Sequence, residues 1–169
     1  MYSNWTLTFK INRSFVCEQW TNLVPDGLAD DVRDEADSKA DYDVELDIHG
    51  YDIDQNMIDI AQENSRAAGL THDITFKQLA VKDWHTDKVN GVIVANPPYG
   101  ERLSDKETVH ELYRQMGKLY RPMTTWSKYI LTADLEFEKY YGAPATKKRK
   151  LYNGALRTDL FQYWGKKKR

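Results

Sequence analysis

Asn96-Pro97-Pro98-Tyr99 sits inside the run VIVANPPYGERL, where an apolar stretch meets an amide, two prolines and an aromatic ring. Two adjacent prolines end hydrogen-bonded secondary structure, so the apolar run finishes at Asn96. An exocyclic amine on adenine or guanine is a poor nucleophile, because its lone pair is delocalised into the ring. Two acceptors that bond its hydrogens push the nitrogen toward a tetrahedral, nucleophilic form. The Asn96 side-chain oxygen offers one acceptor and the Pro97 main-chain carbonyl the other, with Pro98 stiffening the same turn. Proline fixes the backbone torsion, so the carbonyl is aimed before substrate arrives, as electrostatic preorganisation requires. Tyr99 supplies a ring on which a flipped-out base stacks. No general base is needed, since the proton can leave after the group has been transferred. The competing reading is a rigid loop after a strand.

A second candidate site is GYDID, residues 50–54, at the end of a β-branched segment. A carboxylate accepts two hydrogen bonds at once, which suits the hydroxyls of a nucleoside ribose at the carboxyl end of a strand. Asp52 is the candidate for that contact, and Asp54 is better placed to cap the helix that follows. The alternative is that both residues only cap that helix.

The elements that must position these residues follow from period and punctuation. Residues 26–42 are acidic and form a surface helix, and VELDIHGYDI, residues 44–53, is a strand. Asp54 caps a helix through Ala68, with Met57, Ile60, Ala61, Asn64 and Ala68 on one stripe and Gly69 as terminator. Residues 73–81 alternate as a strand. Residues 91–95, GVIVA, are short and continuously apolar, the pattern of a strand buried on both faces. A helix over 106–121 aligns Val109, Leu112, Tyr113, Met116 and Tyr120 and stops at Pro122. Residues 128–133 form a further buried strand and residues 135–141 a short helix. KKRKLY and ALRTDLFQYW flank Asn153-Gly154, a strong hairpin signal. This order argues for an α/β fold with a mostly parallel sheet and a terminal antiparallel hairpin.

Composition bounds the answer further. The chain has 169 residues, 30% of them charged, which is one domain's worth of sequence with a well-solvated surface. No run of about 18 apolar residues occurs, so a helical membrane span is not expected. The first residues lack the basic-then-apolar pattern of a secretion signal, which points to the cytoplasm. One cysteine, Cys17, allows no internal disulfide and no cysteine-based zinc site, and is expected as a partly buried thiol. The net charge of -2 hides an asymmetry. Residues 26–59 hold thirteen acidic and two basic side chains, whereas residues 144–169 hold nine basic and one acidic. The basic end suits a polyanion, although charge runs near a terminus also serve only to solvate it.

Together the stretches NRSFVCEQW, GYDID, FKQLAVKDW, ANPPYGERL and RKLYNGALRTDLFQYWG resemble the guanine-N2 methyltransferase domain of large-subunit ribosomal RNA methylases. The same group is also labelled N6-adenine-specific DNA methylase. NPPY alone is shared by many amino-methylating enzymes; NPPYGERL with the terminal hairpin is far more specific. The resemblance implies a Rossmann-like class I fold, S-adenosylmethionine as methyl donor, no metal, and large-subunit ribosomal RNA as partner. It implies that Asp52 lies at the cosubstrate ribose and the NPPY loop at the target guanine. By the same resemblance Asp83 sits near the cosubstrate adenine, and Arg102 contacts phosphate or orders the loop; ordinary surface positions are the alternatives for both. Tyr152, Asn153 and Arg157 fall on the hairpin, with no catalytic role carried over.

The match departs from the family in one place. The family's first strand and glycine-rich cosubstrate loop precede the Asn-Arg-Ser-Phe stretch, where this chain has only MYSNWTLTFKI. WTLTF alternates and would replace part of a strand, but without glycine it cannot bring main-chain amides as close to a ligand. No THUMP domain is expected within these residues either. The expectation is therefore a C-terminal piece of a methyltransferase domain with weak or no binding of S-adenosylmethionine. Two further readings stay open: a methylase of adenine N6 in DNA, and a non-catalytic remnant that at most binds RNA through its basic tail.

Overall fold

The computed structural model describes residues 16–41, 44–99 and 106–166. Its contacts divide the chain into two compact units, Met1–Leu79 and Ala80–Arg169. The WTLTF segment lies outside the described residues.

In the first unit, Val16–Gln19 forms a 3-10 turn that buries none of its residues. Cys17 is therefore exposed rather than partly buried, because the turn packs none of its residues into a core. Helix α1 (Leu28–Ser38) also buries no residue, as its acidic composition leads one to expect. Strand β1 (Ile48–Asp52), helix α2 (Gln55–Ala67) and strand β2 (Ile74–Gln78) form a β-α-β unit. The two strands are parallel, with Ile48 opposite Ile74 and Asp52 opposite Gln78. The Asp54 carboxylate caps α2 by accepting the Asn56 N–H at 2.9 Å. At the other end Gly69 takes φ of +76°, Gly69 N–H reaches the Arg66 carbonyl, and Leu70 N–H reaches that of Ser65. This pair of bonds is the Schellman closure that a glycine just past the helix allows.

The buried face of α2 differs from the expected stripe. Ile58 and Ser65 are buried, with Ala61 and Ala68 half-buried, whereas Met57 and Ile60 are 45% and 49% exposed. Asn64 is exposed too. Both stripes have helical spacing, so period alone cannot choose between phases one residue apart; the side chains that meet β1 and β2 decide.

The second unit starts with a 3-10 turn, Val81–Asp83, followed by strand β3 (Val92–Ala95) and helix α3 (Lys106–Tyr120). Strand β4 (Ser127–Thr132), helix α4 (Phe137–Tyr141) and strands β5 (Lys147–Asn153) and β6 (Leu156–Tyr163) complete it. The sheet order is β3-β4-β6-β5. β3 and β4 are parallel across α3, and β6 pairs antiparallel with both β4 and β5. The terminal hairpin is thus welded into the sheet through its second strand.

Two local expectations need correction here. β3 is not buried on both faces: Val92 and Val94 are 62% and 78% exposed, and the strand pairs only with β4 among the described residues. An apolar run this short cannot reveal whether its strand lies at an edge or in the middle of a sheet. In the hairpin, Asn153 pairs with Leu156, so Gly154 and Ala155 make the two-residue turn rather than Asn153 and Gly154. Gly154 has φ of +60°, matching turns that place glycine first.

The core lies between α3, α4 and the sheet. Tyr113, Met116, Ile130, Phe137, Tyr141 and Phe161 are buried to within 1%. Phe137 packs edge-on to Tyr113 with ring centres 4.8 Å apart, and Phe161 approaches Phe137 at 4.8 Å. Such aromatic pairs add to the burial of apolar area. Val109, Tyr113, Met116 and Tyr120 carry the α3 stripe as expected. Gly117 lets α4 come close: a Cβ there would lie 2.0 Å from the Tyr141 carbonyl oxygen.

Candidate active site

Asn96 to Tyr99 leave the carboxyl end of β3, where a ligand meets an open α/β sheet. Asn96 is exposed, Pro97 buried, Pro98 exposed and Tyr99 half-buried. The Tyr99 hydroxyl donates to Asn96 Oδ1 at 2.7 Å. An amide oxygen carries two lone pairs, so one remains for an incoming amine, and the bond fixes the tyrosine ring. The buried Pro97 ring anchors the turn. Among the described residues no donor occupies the Pro97 carbonyl, the second expected acceptor. All of these peptide bonds are trans.

The loop is also held from behind. The Tyr113 hydroxyl of α3 donates to the Pro98 carbonyl at 3.1 Å and meets Thr132 Oγ1 of β4 at 2.9 Å. Thr132 Oγ1 in turn accepts the Asp134 N–H at 3.1 Å. Tyr113 and Thr132 are both 0% exposed. Burial pushes the Tyr113 phenol up to about 12, so it stays protonated and able to donate across the working pH range. This chain of three groups ties the carboxyl ends of β3 and β4 together through α3.

Beside Tyr99 lies a cavity of about 220 Å3 that also includes Lys106, His110, Asp134 and Glu136 in its wall. His110 Nε2 meets Asp134 Oδ2 at 3.1 Å, and its ring stacks on Tyr140 with centres 3.6 Å apart. Residue patterns read along the chain single out neither His110 nor Asp134. The available signals were a histidine next to Val109 on the buried stripe of α3 and an acid just after an apolar strand. The second is the same signal that selected Asp52.

Asp52 is exposed at the end of β1, and its Oδ1 accepts the Asp54 N–H at 2.8 Å. Its other oxygen has no protein donor among the described residues, so the carboxylate fits a pair of ribose hydroxyls. Asp83 is exposed at the end of its 3-10 turn, with its carbonyl facing His85 Nδ1 at 3.3 Å. Arg102 lies outside the described residues. No group of three or more histidine, cysteine or acidic side chains among the described residues is arranged to hold a metal. No helix among them is long and apolar enough to cross a membrane.

The sequence matches the family model "RMKL-like, methyltransferase domain" (UPF0020) over residues 5–162. It is 50% identical over 155 residues to the "Putative RNA methyltransferase YpsC" of Bacillus subtilis, covering 92% of this chain and 40% of that protein. It is 37% identical over 123 residues to the "Ribosomal RNA large subunit methyltransferase K/L" of Hydrogenovibrio crunogenus, covering 69% of this chain and 16% of that one. A solved structure titled "Crystal structure of SMU.472, a putative methyltransferase complexed with SAH" superposes with a TM-score of 0.82. It shares 48% identity and covers 94% of this chain and 42% of its own. The chain thus spans well under half the length of these relatives. An α/β unit with an NPPY loop at a strand end, matched by the model over nearly its whole length, belongs to the RMKL-like methyltransferase family.

Proposed function

We propose that the chain methylates the exocyclic N2 amine of guanine in large-subunit ribosomal RNA, using S-adenosylmethionine that it holds only weakly, in the cytoplasm. The observation that carries this is the Asn96-Pro97-Pro98-Tyr99 turn: an exposed asparagine and a proline carbonyl with no donor among the described residues, on a backbone pinned by Tyr113. When bound, the donor supplies an electrophilic methyl group. The family resemblance assigns Asp52 to the donor's ribose and Asp83 to its adenine. Asn96 Oδ1 and the Pro97 carbonyl take the two amine hydrogens, which localises the nitrogen lone pair for attack. Tyr99 stacks on the flipped base, and Arg102 steadies the loop or a phosphate. The amine proton leaves to water once the nitrogen has been alkylated.

The test is transfer of labelled methyl from saturating S-adenosylmethionine to large-subunit ribosomal RNA and to duplex DNA, followed by nucleoside analysis. N2-methylguanosine in the RNA is expected, and Asn96→Ala lowers its formation by about 10²–10³-fold, the range for losing one preorganised polar contact. N6-methyladenine in the DNA overturns the guanine reading. No transfer to either, with RNA still retained in a steeply salt-dependent way, makes the chain a binding remnant.

A further inference from the structure

The cavity beside Tyr99 contains polar groups that amine activation leaves unused. Its volume of about 220 Å3 is below the roughly 300–1,000 Å3 of drug-sized sites, so it suits a ring system without its sugar. On its wall the Asp134 side chain is 15% exposed and that of His110 only 9%. The carboxylate is doubly held: Oδ2 meets His110 Nε2 at 3.1 Å, and Oδ1 accepts the Glu136 N–H at 2.8 Å. His110 cannot swing away, because its ring lies within 12° of parallel to Tyr140 at 3.6 Å. Each carboxylate oxygen has two lone pairs and keeps one acceptor position after these bonds. The result is a fixed, largely desolvated acceptor beside the ring that bonds Asn96.

Purines differ in what stands next to the amine. In guanine the N2 amine adjoins N1–H, a second donor, and O6 lies beyond it. In adenine the N6 amine adjoins N1, a bare lone pair. A fixed carboxylate beside the amine-binding loop bonds the first and is repelled by the second. The Lys106 ammonium, on the cavity wall, has the donor that O6 requires.

We infer that Asp134, positioned by His110, reads the N1–H of the target guanine and so excludes adenine. The inference rests on the methyl-transfer reading above and adds the source of its base selectivity. Asp134 is a specificity residue here, and His110 a positioning residue.

The experiment uses three short RNAs that differ at one single-stranded position, carrying guanine, 2-aminopurine or inosine. 2-Aminopurine keeps the amine and loses N1–H together with O6, while inosine loses the amine and keeps N1–H and O6. Competition binding to the wild-type chain is expected to favour guanine over 2-aminopurine by at least about tenfold, the effect of one hydrogen bond to a buried charge. Inosine falls closer to guanine than 2-aminopurine does. In Asp134→Asn the amide still accepts the Glu136 N–H but donates to a bare N1, so the share of the guanine preference that comes from N1–H is lost and the preference falls by about tenfold relative to wild type. No wild-type preference, including failure to bind either RNA, overturns the inference, as does a full preference retained in the variant. If the variant does not fold, the wild-type comparison decides alone. Transfer to guanine with no discrimination against 2-aminopurine sinks this inference only, whereas transfer to adenine sinks the proposed function itself.

Discussion

Tyr113→Phe tests whether the pin behind the NPPY turn matters, because it removes one oxygen and leaves the core shape intact. The ring remains packed against Phe137 at 4.8 Å, so no cavity opens. Two hydrogen bonds are lost, to the Pro98 carbonyl at 3.1 Å and to Thr132 Oγ1 at 2.9 Å. They are not equal. Pro98 is exposed, so water can take over its carbonyl and the loss there is about 0.5 kcal/mol. Thr132 is 0% exposed and among the described residues keeps only the Asp134 N–H, so its stranded hydroxyl costs about 1–2 kcal/mol. The sum is about 2 kcal/mol, which lowers Tm by about 4–8 °C in a chain of this size. Thermal unfolding followed by circular dichroism reads that shift. A Tm within 1 °C of wild type refutes the reasoning.

Further substitutions probe other parts of the molecule. Gly117→Ala places a Cβ 2.0 Å from the Tyr141 carbonyl; overpacking of about 1–3 kcal/mol exceeds the gain in helix propensity, so urea unfolding shows a lower midpoint. Asp54→Ala removes the α2 cap and destabilises by about 1 kcal/mol, whereas Asp52→Asn leaves the midpoint unchanged and weakens nucleoside binding by calorimetry. Glu138 has a pH signature. Burial raises its carboxyl, but the Ala145 N–H and the Lys148 ammonium outweigh that and hold it below 4.5. A depressed folded pKa contributes stability above the unfolded value, and that stability is lost as pH falls through the folded one. Glu138→Gln is therefore expected to flatten the Tm profile below pH 4.5, with little pH-dependent difference near neutrality.

Much of the frame was legible because its signals are local. Asp54 caps α2 and Gly69 ends it, and the α3 stripe from Val109 to Tyr120 is the stripe that packs. The position of the NPPY turn at the end of β3 was legible too, since the prolines that stop the strand belong to that stretch alone. The phase of α2 was not, because Met57 and Ile58 continue equally good helical stripes. Nor was the pairing of β3 with β4 alone among the described residues, since an apolar tetrapeptide looks alike with one neighbour or two.

Taken alone, the sequence determined the order and type of the elements, the helix ends, and the amide-proline-proline-tyrosine group at a strand terminus. Each depends on torsion preferences and spacings within a few residues. Only the tertiary structure decided that Tyr113 closes on Pro98 and Thr132, and that His110 meets Asp134 beside Tyr99. These partners stand 15, 19 and 24 residues apart, so they meet only because α3 packs on the β3–β4 pair. No local preference encodes which buried hydroxyl or carboxylate will be near enough to bond.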